Sequence, residues 1–282
     1  MKVAGLSWQD KIERLQLLTS HADAANPDAP NDVLPFYAKI LHFQRNMQSR
    51  LSPGLADSAV DCVVDGVADN VADGVANRVA PFVPELLELL TNSGTPQTRE
   101  LAASSMALDW PSELDAYWNE RLTRPYAPLS FILLTLLQPF AQILASRALA
   151  SQLANQAQID RPLAPHCPFC LCKPQLGVLR PEGDGGKRFL LCTLCGTEWE
   201  YRRVICPNCG ELDKEKLPVY KSDKVPHIKV AACDTCHTYL KCIDLGIDGH
   251  AIPEAEDIAT LPISLWMVEN GFQPLRLNLF GF

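Results

Sequence analysis

Residues 192–210 carry the strongest fold signal in this chain and read Cys192-Thr-Leu-Cys195-Gly-Thr-Glu-Trp-Glu-Tyr-Arg-Arg-Val-Ile-Cys206-Pro-Asn-Cys209-Gly210. The stretch holds two Cys-X-X-Cys motifs, each followed by glycine, and two further motifs flank it at Cys167–Cys170 and Cys233–Cys236. Two thiolates three residues apart on a tight turn can occupy two corners of a tetrahedron around a metal ion. Glycine after the second cysteine allows the left-handed backbone that closes such a turn. Four motifs within 70 residues therefore predict two metal sites.

The spacing of the motifs predicts how they pair. Between the first two motifs lie 21 residues, and between the third and fourth lie 23, lengths that suit a hairpin bringing two motifs together. Sequential pairing makes one site from the first two motifs and a second site from the last two, with crossed pairing as the alternative. The predicted metal ligands are Cys167, Cys170, Cys192, Cys195, Cys206, Cys209, Cys233 and Cys236.

A thiolate-only site does not select a single metal. Zinc in tetrahedral sulfur coordination staples small domains that have little core, so a structural role is the simplest interpretation. The Cys-Pro-Asn-Cys-Gly sequence at 206–210 is also a motif found in rubredoxin, whose iron is redox active. Because sulfur fills all four positions, neither site offers a position for substrate or activated water, and hydrolysis at the metal is disfavoured. Electron transfer or presentation of a binding surface is compatible with such sites.

Several other residues near the motifs have weaker claims to a role. They are Cys172, Cys242, His166 and His237, with the basic pairs at 187–188 and 202–203. The two cysteines could replace a ligand or form a redox pair, but spare thiols are the simpler interpretation, as for Cys62 outside the cluster. We expect the histidines to be surface imidazoles. The basic pairs are expected to face solvent, sulfur or a partner rather than phosphate.

The first 160 residues predict an α-helical domain. Apolar residues recur at three- and four-residue steps from Trp8 to Leu18, and at near-heptad spacing from Phe36 to Leu51. The most apolar run, Pro128–Leu137, is half of the roughly 20 residues that a membrane-spanning helix needs. It predicts a buried core helix that continues to about residue 158 with a kink at Pro139. The valine repeat at 60–79 predicts a weak helix or a surface insertion.

The character of the sequence changes near residue 160, where long apolar stripes give way to Gly, Pro, Cys and short strand-like runs. We expect an α + small β architecture: an α-helical domain over 1–160, rubredoxin-like or zinc-ribbon metal modules over 161–203 and 204–250, and a C-terminal helical segment over 251–282. In that last segment the apolar pattern predicts one helix from Asp257 to Asn270, with Pro262 in its first turn or at a kink.

Charge and composition narrow the function. The 282 residues include 25 basic and 33 acidic side chains, a net charge of −8 that argues against a general nucleic-acid or anionic-membrane binder. The first residues lack a hydrophobic run of signal-peptide length, so we expect a cytoplasmic protein without stable membrane insertion, whose thiols stay reduced. The sequence holds no phosphate-binding loop, dinucleotide fingerprint, nucleophile elbow or His-Glu-X-X-His motif, and we expect no enzyme activity.

The strings around the motifs carry a family resemblance. Residues 188–202, leading into Cys206-Pro-Asn-Cys-Gly210, and the segment Cys233-Asp-Thr-Cys-His-Thr-Tyr-Leu-Lys241 resemble the FdhE-type formate dehydrogenase accessory proteins. The segments Glu256–Leu261 and Glu269–Phe272 match as well, so the resemblance covers about residues 160–282. The helical half fits that family in length and class only, and the valine repeat is peculiar to this chain.

The resemblance implies a cytoplasmic protein with rubredoxin-like metal modules that makes a respiratory, exported formate dehydrogenase active. It implies contact with the catalytic subunit of that enzyme before export, and iron in two four-cysteine sites held by the eight motif cysteines, with zinc as the alternative. It offers no catalytic residue, and it leaves homo-oligomer formation open. Two other functions stay open: a rubredoxin-like redox protein acting in maturation, and a zinc-ribbon nucleic-acid binder, which the near-neutral charge of 160–248 disfavours.

Overall fold

The structure, a computed structural model, describes residues 2–3, 8–25, 33–52, 72–154, 164–182 and 186–282. Cys62, the first part of the valine repeat and the predicted domain boundary near residue 160 lie outside these ranges. The helices in the described ranges are α1 (Trp8–Ala25), α2 (Val33–Leu51), α3 (Ala72–Val79), α4 (Val83–Ser93), α5 (Pro96–Ser104), α6 (Trp110–Glu120), α7 (Pro128–Ala154), α8 (Pro253–Ala259) and α9 (Leu261–Glu269). The strands are β1 (Lys2–Val3), β2 (Leu176–Arg180), β3 (Lys187–Leu191), β4 (Thr197–Glu200), β5 (Val219–Lys221), β6 (Ile228–Cys233), β7 (Thr238–Asp244) and β8 (Gln273–Pro274).

The predicted α + small β architecture, with a helical N-terminal region, is confirmed. Residues three and four apart lie on one face of a helix, and the stripe of α1 accordingly buries Trp8, Ile12 and Leu15. Helix α2 packs against both α1 and α7. The apolar periodicity of the first 160 residues therefore encodes one layered helical core.

Helix α7 is the core helix that the ten-residue apolar run predicts. Its residues Pro128–Ala150 are long and apolar enough to cross a membrane, but 78% of the most apolar window is buried inside the protein. The helix continues through Pro139, and its neighbours Leu137 and Phe140 are fully buried. The hydrophobicity of α7 is thus matched by protein contacts on its sides.

Where the structure describes the valine repeat, it forms a helix, one of the two predicted alternatives, and this helix is packed against the core instead of being a surface insertion. Residues Ala72–Val79 form α3, in which Val75 and Val79 are fully buried against the core. The carboxylate of Asp115 on α6 accepts a hydrogen bond from the backbone N–H of Ala76. A four-residue spacing keeps these valines near one helix face for two turns, and burial of that face offsets the cost of Gly74 within the helix.

One mixed sheet carries all four Cys-X-X-Cys motifs. Among the described residues its strand order is β1-β4-β3-β2-β7-β6-β5, with β8 also paired to β7. The pairs are antiparallel except β2–β7 and β7–β8, which are parallel. Strand β2 belongs to the first motif pair and β7 to the second, and the two strands pair directly, with Leu176 opposite Lys241. The two expected modules therefore share one sheet.

The C-terminal segment contains two helices where the sequence predicts one. Helix α8 ends at Ala259, and α9 begins at Leu261 with Pro262 in its first turn. Proline lacks a backbone N–H and its fixed φ suits the first turn of a helix, so a new helix starts at this position. The short break turns α8 into a separate element that inserts between the helical region and the sheet.

Carboxylates of α8 hold the helical region in place. Glu254 accepts a hydrogen bond from Lys11 Nζ at 2.8 Å, and Glu256 accepts one from Arg14 Nε at 2.6 Å. All four side chains are about nine-tenths buried or more. Charge pairs of this kind, on helices far apart in sequence, fix the orientation of α1 on α8.

The third carboxylate of α8 faces the sheet. Asp257 pairs with Lys241 of β7, whose Nζ also donates to the Asp257 backbone carbonyl at 2.8 Å. The other carboxylate oxygen of Asp257 accepts from Gln175 at 2.9 Å and Asn278 at 3.1 Å. Helix α8 is therefore tied to the helical region by two carboxylates and to the sheet by the third.

Candidate metal centres

The first candidate centre is formed by the first two motifs. Cys167 Sγ lies 3.5 Å from Cys195 Sγ, and Cys170 Sγ lies 3.4 Å from Cys192 Sγ. All four sulfur atoms lie within 4.8 Å of one another, and all four residues are buried. This grouping follows the sequential pairing of the motifs.

The second candidate centre is formed by the last two motifs. Cys206 Sγ lies 3.7 Å from Cys236 Sγ, and Cys209 Sγ lies 3.7 Å from Cys233 Sγ. These four sulfur atoms also lie within 4.8 Å of one another. The structure thus brings together all eight cysteines of the sequence motifs in two groups of four.

Both groups fit a metal ion held by sulfur alone. Four sulfur atoms at ~2.3 Å from one zinc ion stand about 3.8 Å apart at the corners of a tetrahedron. The shortest separations here, 3.4 to 3.7 Å, are close to that edge length. An all-sulfur tetrahedron suits zinc or iron. A bound ion would crosslink two turns of the sheet in each centre, and iron would in addition supply one-electron chemistry.

The same turn is repeated at all four motifs. The residue after the second cysteine donates its backbone N–H to the carbonyl of the first cysteine at 2.7 to 3.0 Å. That residue has a left-handed backbone in each case, at Leu171, Gly196, Gly210 and His237. The expectation for the two glycines is confirmed. The two other residues accept a strain of roughly 1–2 kcal/mol, so the turn is imposed at those motifs as well.

In two of the four turns, the side chain two residues after the second cysteine lies beside the sulfur of that cysteine. Thr197 Oγ1 lies 3.2 Å from Cys195 Sγ, and Thr238 Oγ1 lies 3.0 Å from Cys236 Sγ. In the first motif this position is Cys172, which is fully buried and whose carbonyl accepts from Cys167 N–H at 2.9 Å. Cys172 therefore occupies the position that a threonine hydroxyl takes beside a candidate ligand sulfur in the two other turns.

The two centres differ in their access to solvent. The first is sealed against the helical region, where Arg121 Nε donates to the carbonyl of Cys170 at 3.3 Å. In the second, Cys209 is exposed and Cys236 is half-buried. A chelator or an electron-transfer partner can reach the second centre directly, whereas the first is enclosed by protein.

The thiols within each group differ in acidity. Hydrogen bonds from Cys167 and Cys170 hold the pKa of Cys192 well below its usual value, while burial raises the pKa of Cys170 well above it. In the second centre burial raises the pKa of Cys236, but hydrogen bonds with Thr238 and Asn208 lower it to about 6. Each group therefore contains one thiol whose pKa lies below its usual value, and the thiolate is the form of cysteine that binds a metal ion.

Cys242, one of the two additional cysteines near the motifs, packs between the two halves of the sheet. It is buried on β7 opposite Gly177 of β2, where a Cβ atom would lie 2.5 Å from its sulfur. Burial also raises the pKa of its thiol, which keeps the sulfur neutral. Gly177 thus makes room for Cys242, and this thiol serves packing at the parallel strand pair.

The histidines and basic pairs lie outside both sulfur groups. His166 and His237 are exposed, and the His237 ring is tilted by 50° to the ring of Phe272, with ring centroids 6.1 Å apart. Arg202 and Arg203 are exposed, and Lys187 pairs with Glu182 and Glu200 at the surface. Arg188 is the exception because its side chain is buried.

One polar cluster has no counterpart among the residues singled out from the sequence. His227, Asp248 and Glu256 present three potential metal ligands within 4.8 Å of one another. Arg14 pairs with both carboxylates, each at 2.6 Å, and His227 Nε2 lies 3.0 Å from the second oxygen of Glu256. The Arg14 guanidinium bonds both carboxylates and offsets one of their two negative charges, so the cluster forms an ionic junction with α1. The only sequence signal for it is the unusual density of acidic residues in Pro253–Asp257.

Family comparisons agree with the motif assignment. The family model described as "FdhE, central domain" matches residues 166–203, and the model described as "FdhE, C-terminal domain" matches residues 204–280. A protein named FdhE homolog from Aquifex aeolicus is 32% identical over 200 residues, which are 70% of this chain and 68% of that protein. A homolog of the same name from Haemophilus ducreyi is 34% identical over 134 residues, 48% of this chain and 44% of that protein.

A solved structure has the same fold. The crystal structure of the FdhE protein from Pseudomonas aeruginosa superposes with a TM-score of 0.67 at 22% sequence identity. The match covers 97% of this chain and 95% of that one, so it includes the helical region as well as the sheet.

Proposed function

This chain belongs to the FdhE family, and on that premise we propose that it is an assembly protein for formate dehydrogenase that carries two metal ions in closed thiolate centres. The observation that carries the proposal is the gathering of eight cysteines into two groups of four. With every position filled by sulfur, neither centre has room for substrate, which favours a binding or redox role over catalysis.

The proposed partner is the catalytic subunit of formate dehydrogenase before its export, with contact taking place in the cytoplasm. The family identity supports a role in maturation of that enzyme, and an exposed second centre supports a docking surface on that side of the sheet. The test is anaerobic co-purification of the full chain with the immature catalytic subunit. A stoichiometric complex is expected, and the absence of association between purified, metal-loaded components would contradict the proposal.

A double substitution sharpens this test. Cys206→Ser with Cys209→Ser removes two ligands of the second centre, while Thr235→Ser in the same module leaves all ligands in place as the matched control. We expect the double variant to lose one metal ion per chain and to fail in restoring formate dehydrogenase activity to cells that lack this protein. Full restoration by the double variant would show that the second centre is dispensable.

A redox role is the second candidate, and exposure of Cys209 favours it because electron transfer requires close approach of a partner. In this version the metal is iron, as the rubredoxin-like motif at 206–210 suggests. Optical absorption and electron paramagnetic resonance of anaerobically purified protein should reveal ferric iron that bleaches on reduction. Stoichiometric zinc without iron would exclude the redox role and leave the assembly role intact.

A further inference from the structure

Arg188 connects the two halves of the metal-binding sheet. It lies on β3, next to the first centre, and its side chain is buried, with 4% of the residue exposed. Its Nη2 donates to the backbone carbonyls of Arg202 and Ile205, the latter at 2.8 Å. Ile205 directly precedes Cys206, so this guanidinium holds the backbone next to a cysteine of the second centre by hydrogen bonds.

The charge of Arg188 has no carboxylate partner among the residues that the structure describes. Its Nε is buried without a hydrogen-bond acceptor, and its guanidinium lies 5.3 Å from the centroid of the Tyr201 ring. Burial lowers the pKa of Arg188, the direction expected for a cation removed from water. A buried charge is costly unless an opposite charge lies nearby, so this arginine calls for an anion.

The second centre is in position to supply that anion. Arg188 lines a cavity of about 40 Å³ together with Cys206 and Cys233, one cysteine from each motif of the second centre. Arg203 lines the same cavity and adds a second positive charge on this side.

We propose that Arg188 is the counter-cation of the second metal centre and holds the backbone of Cys206 in its ligating position. Four thiolates around a divalent ion carry a net charge of −2, and one buried guanidinium offsets half of it. The inference rests on the proposed metal occupancy of the second centre. It assigns Arg188 a positioning role, since the guanidinium acts through Ile205 and through charge without binding the ion.

The position of Arg188 in the chain places it between the two centres. Arg188 stands four residues before Cys192, a ligand of the first centre, and binds the carbonyl directly before Cys206, a ligand of the second. A sequence reading could place Arg188 only in a basic cluster, because its acceptors become close when the chain turns at 202–205.

The experiment follows release of cobalt from the full-length, cobalt-loaded protein into an excess of chelator. The Cys206→Ser, Cys209→Ser double variant identifies which phase belongs to the second centre. Arg188→Gln should accelerate that phase about tenfold to a hundredfold, the range typical for groups that orient a metal ligand, and leave the other phase unchanged. Arg188→Lys keeps the charge and should recover part of the loss. Arg202→Gln removes the same charge from an exposed side chain and should release cobalt like the wild type.

The outcomes separate this inference from the proposed function. Equal acceleration of both phases in Arg188→Gln, or release at the wild-type rate, would overturn the role of Arg188 while the metal centres stand. A wild-type chain that binds no cobalt at the second centre would instead overturn the proposed metal occupancy. A lower energy or intensity of the sulfur-to-cobalt charge-transfer band in Arg188→Gln, confined to the second centre, would support the assigned role through a property that global stability does not move.

Discussion

Replacing Glu256 with glutamine should destabilise the protein at the junction between α1 and α8. One carboxylate oxygen of Glu256 accepts from Arg14 at 2.6 Å, and the other lies 3.0 Å from His227 Nε2. The Glu256 side chain is 2% exposed, so the substitution leaves a buried guanidinium short of one negative charge. The amide of glutamine can replace one acceptor but presents a donor where the second acceptor stood.

The magnitude follows from what Arg14 retains. Removing one partner of a buried ion pair costs about 3–5 kcal/mol. Because Arg14 keeps Asp248 at 2.6 Å, the lower end applies. A loss of about 3 kcal/mol corresponds to a roughly 150-fold change in the folding equilibrium. Urea unfolding of the metal-loaded protein, followed by far-ultraviolet circular dichroism, measures it.

Two further variants test the reasoning. Glu269→Gln makes the same charge change at an exposed position of α9 and should cost less than about 0.5 kcal/mol. Arg14→Met combined with Glu256→Gln should cost less than the sum of the single changes, with a coupling of about 1–3 kcal/mol. A Glu256→Gln variant within about 0.5 kcal/mol of the wild type would refute a stabilising ionic junction.

Three more predictions rest on the same geometry. The second centre should lose its metal to a chelator before the first, since Cys209 is exposed and the first centre is sealed; simultaneous release would contradict the difference in access. Cys172→Thr should retain two metal ions per chain by mass spectrometry, because threonine occupies the equivalent place beside Cys195; loss of one ion would make Cys172 a ligand. Burial raises the pKa of Asp248, but the backbone N–H of His250 and then Arg14 lower it below its usual value. The contribution of the Asp248 carboxylate to the free energy of unfolding is complete above the unfolded-state pKa and falls as pH drops through the folded-state pKa. The stability advantage of the wild type over Asp248→Asn should therefore shrink in acid. An advantage that stays constant from neutral to acidic pH in urea unfolding would contradict this role of Asp248.

Local features of this fold could be predicted from sequence because their causes are local. The turn at each motif follows from the Cys-X-X-Cys spacing, and the left-handed glycines at 196 and 210 follow from the need to close it. The core helix at 128–154 follows from its apolar run. The grouping of eight cysteines required one further assumption, that each motif pairs with its neighbour in sequence.

Features that depend on distant pairs could not be predicted in this way. Arg14 and Glu256 are 242 residues apart, and nothing in either segment alone indicates that they meet. The parallel pairing of β2 with β7 could not be predicted either, because the sequence of each strand is equally compatible with a separate module. The sequence left a weak helix and a surface insertion open at α3 because its glycine and four-residue period weaken the helical signal, whereas tertiary burial of Val75 and Val79 decides its structure.

The most direct test of the central claim is metal analysis of protein purified under anaerobic conditions. Mass spectrometry of the intact, non-denatured chain, with elemental analysis of the same sample, should give two ions of iron or zinc per wild-type chain. The Cys206→Ser, Cys209→Ser variant should retain one ion, held by the sealed first centre. A wild-type chain with no bound metal, whose eight motif thiols all react with a thiol reagent while the chain stays folded, would contradict the account.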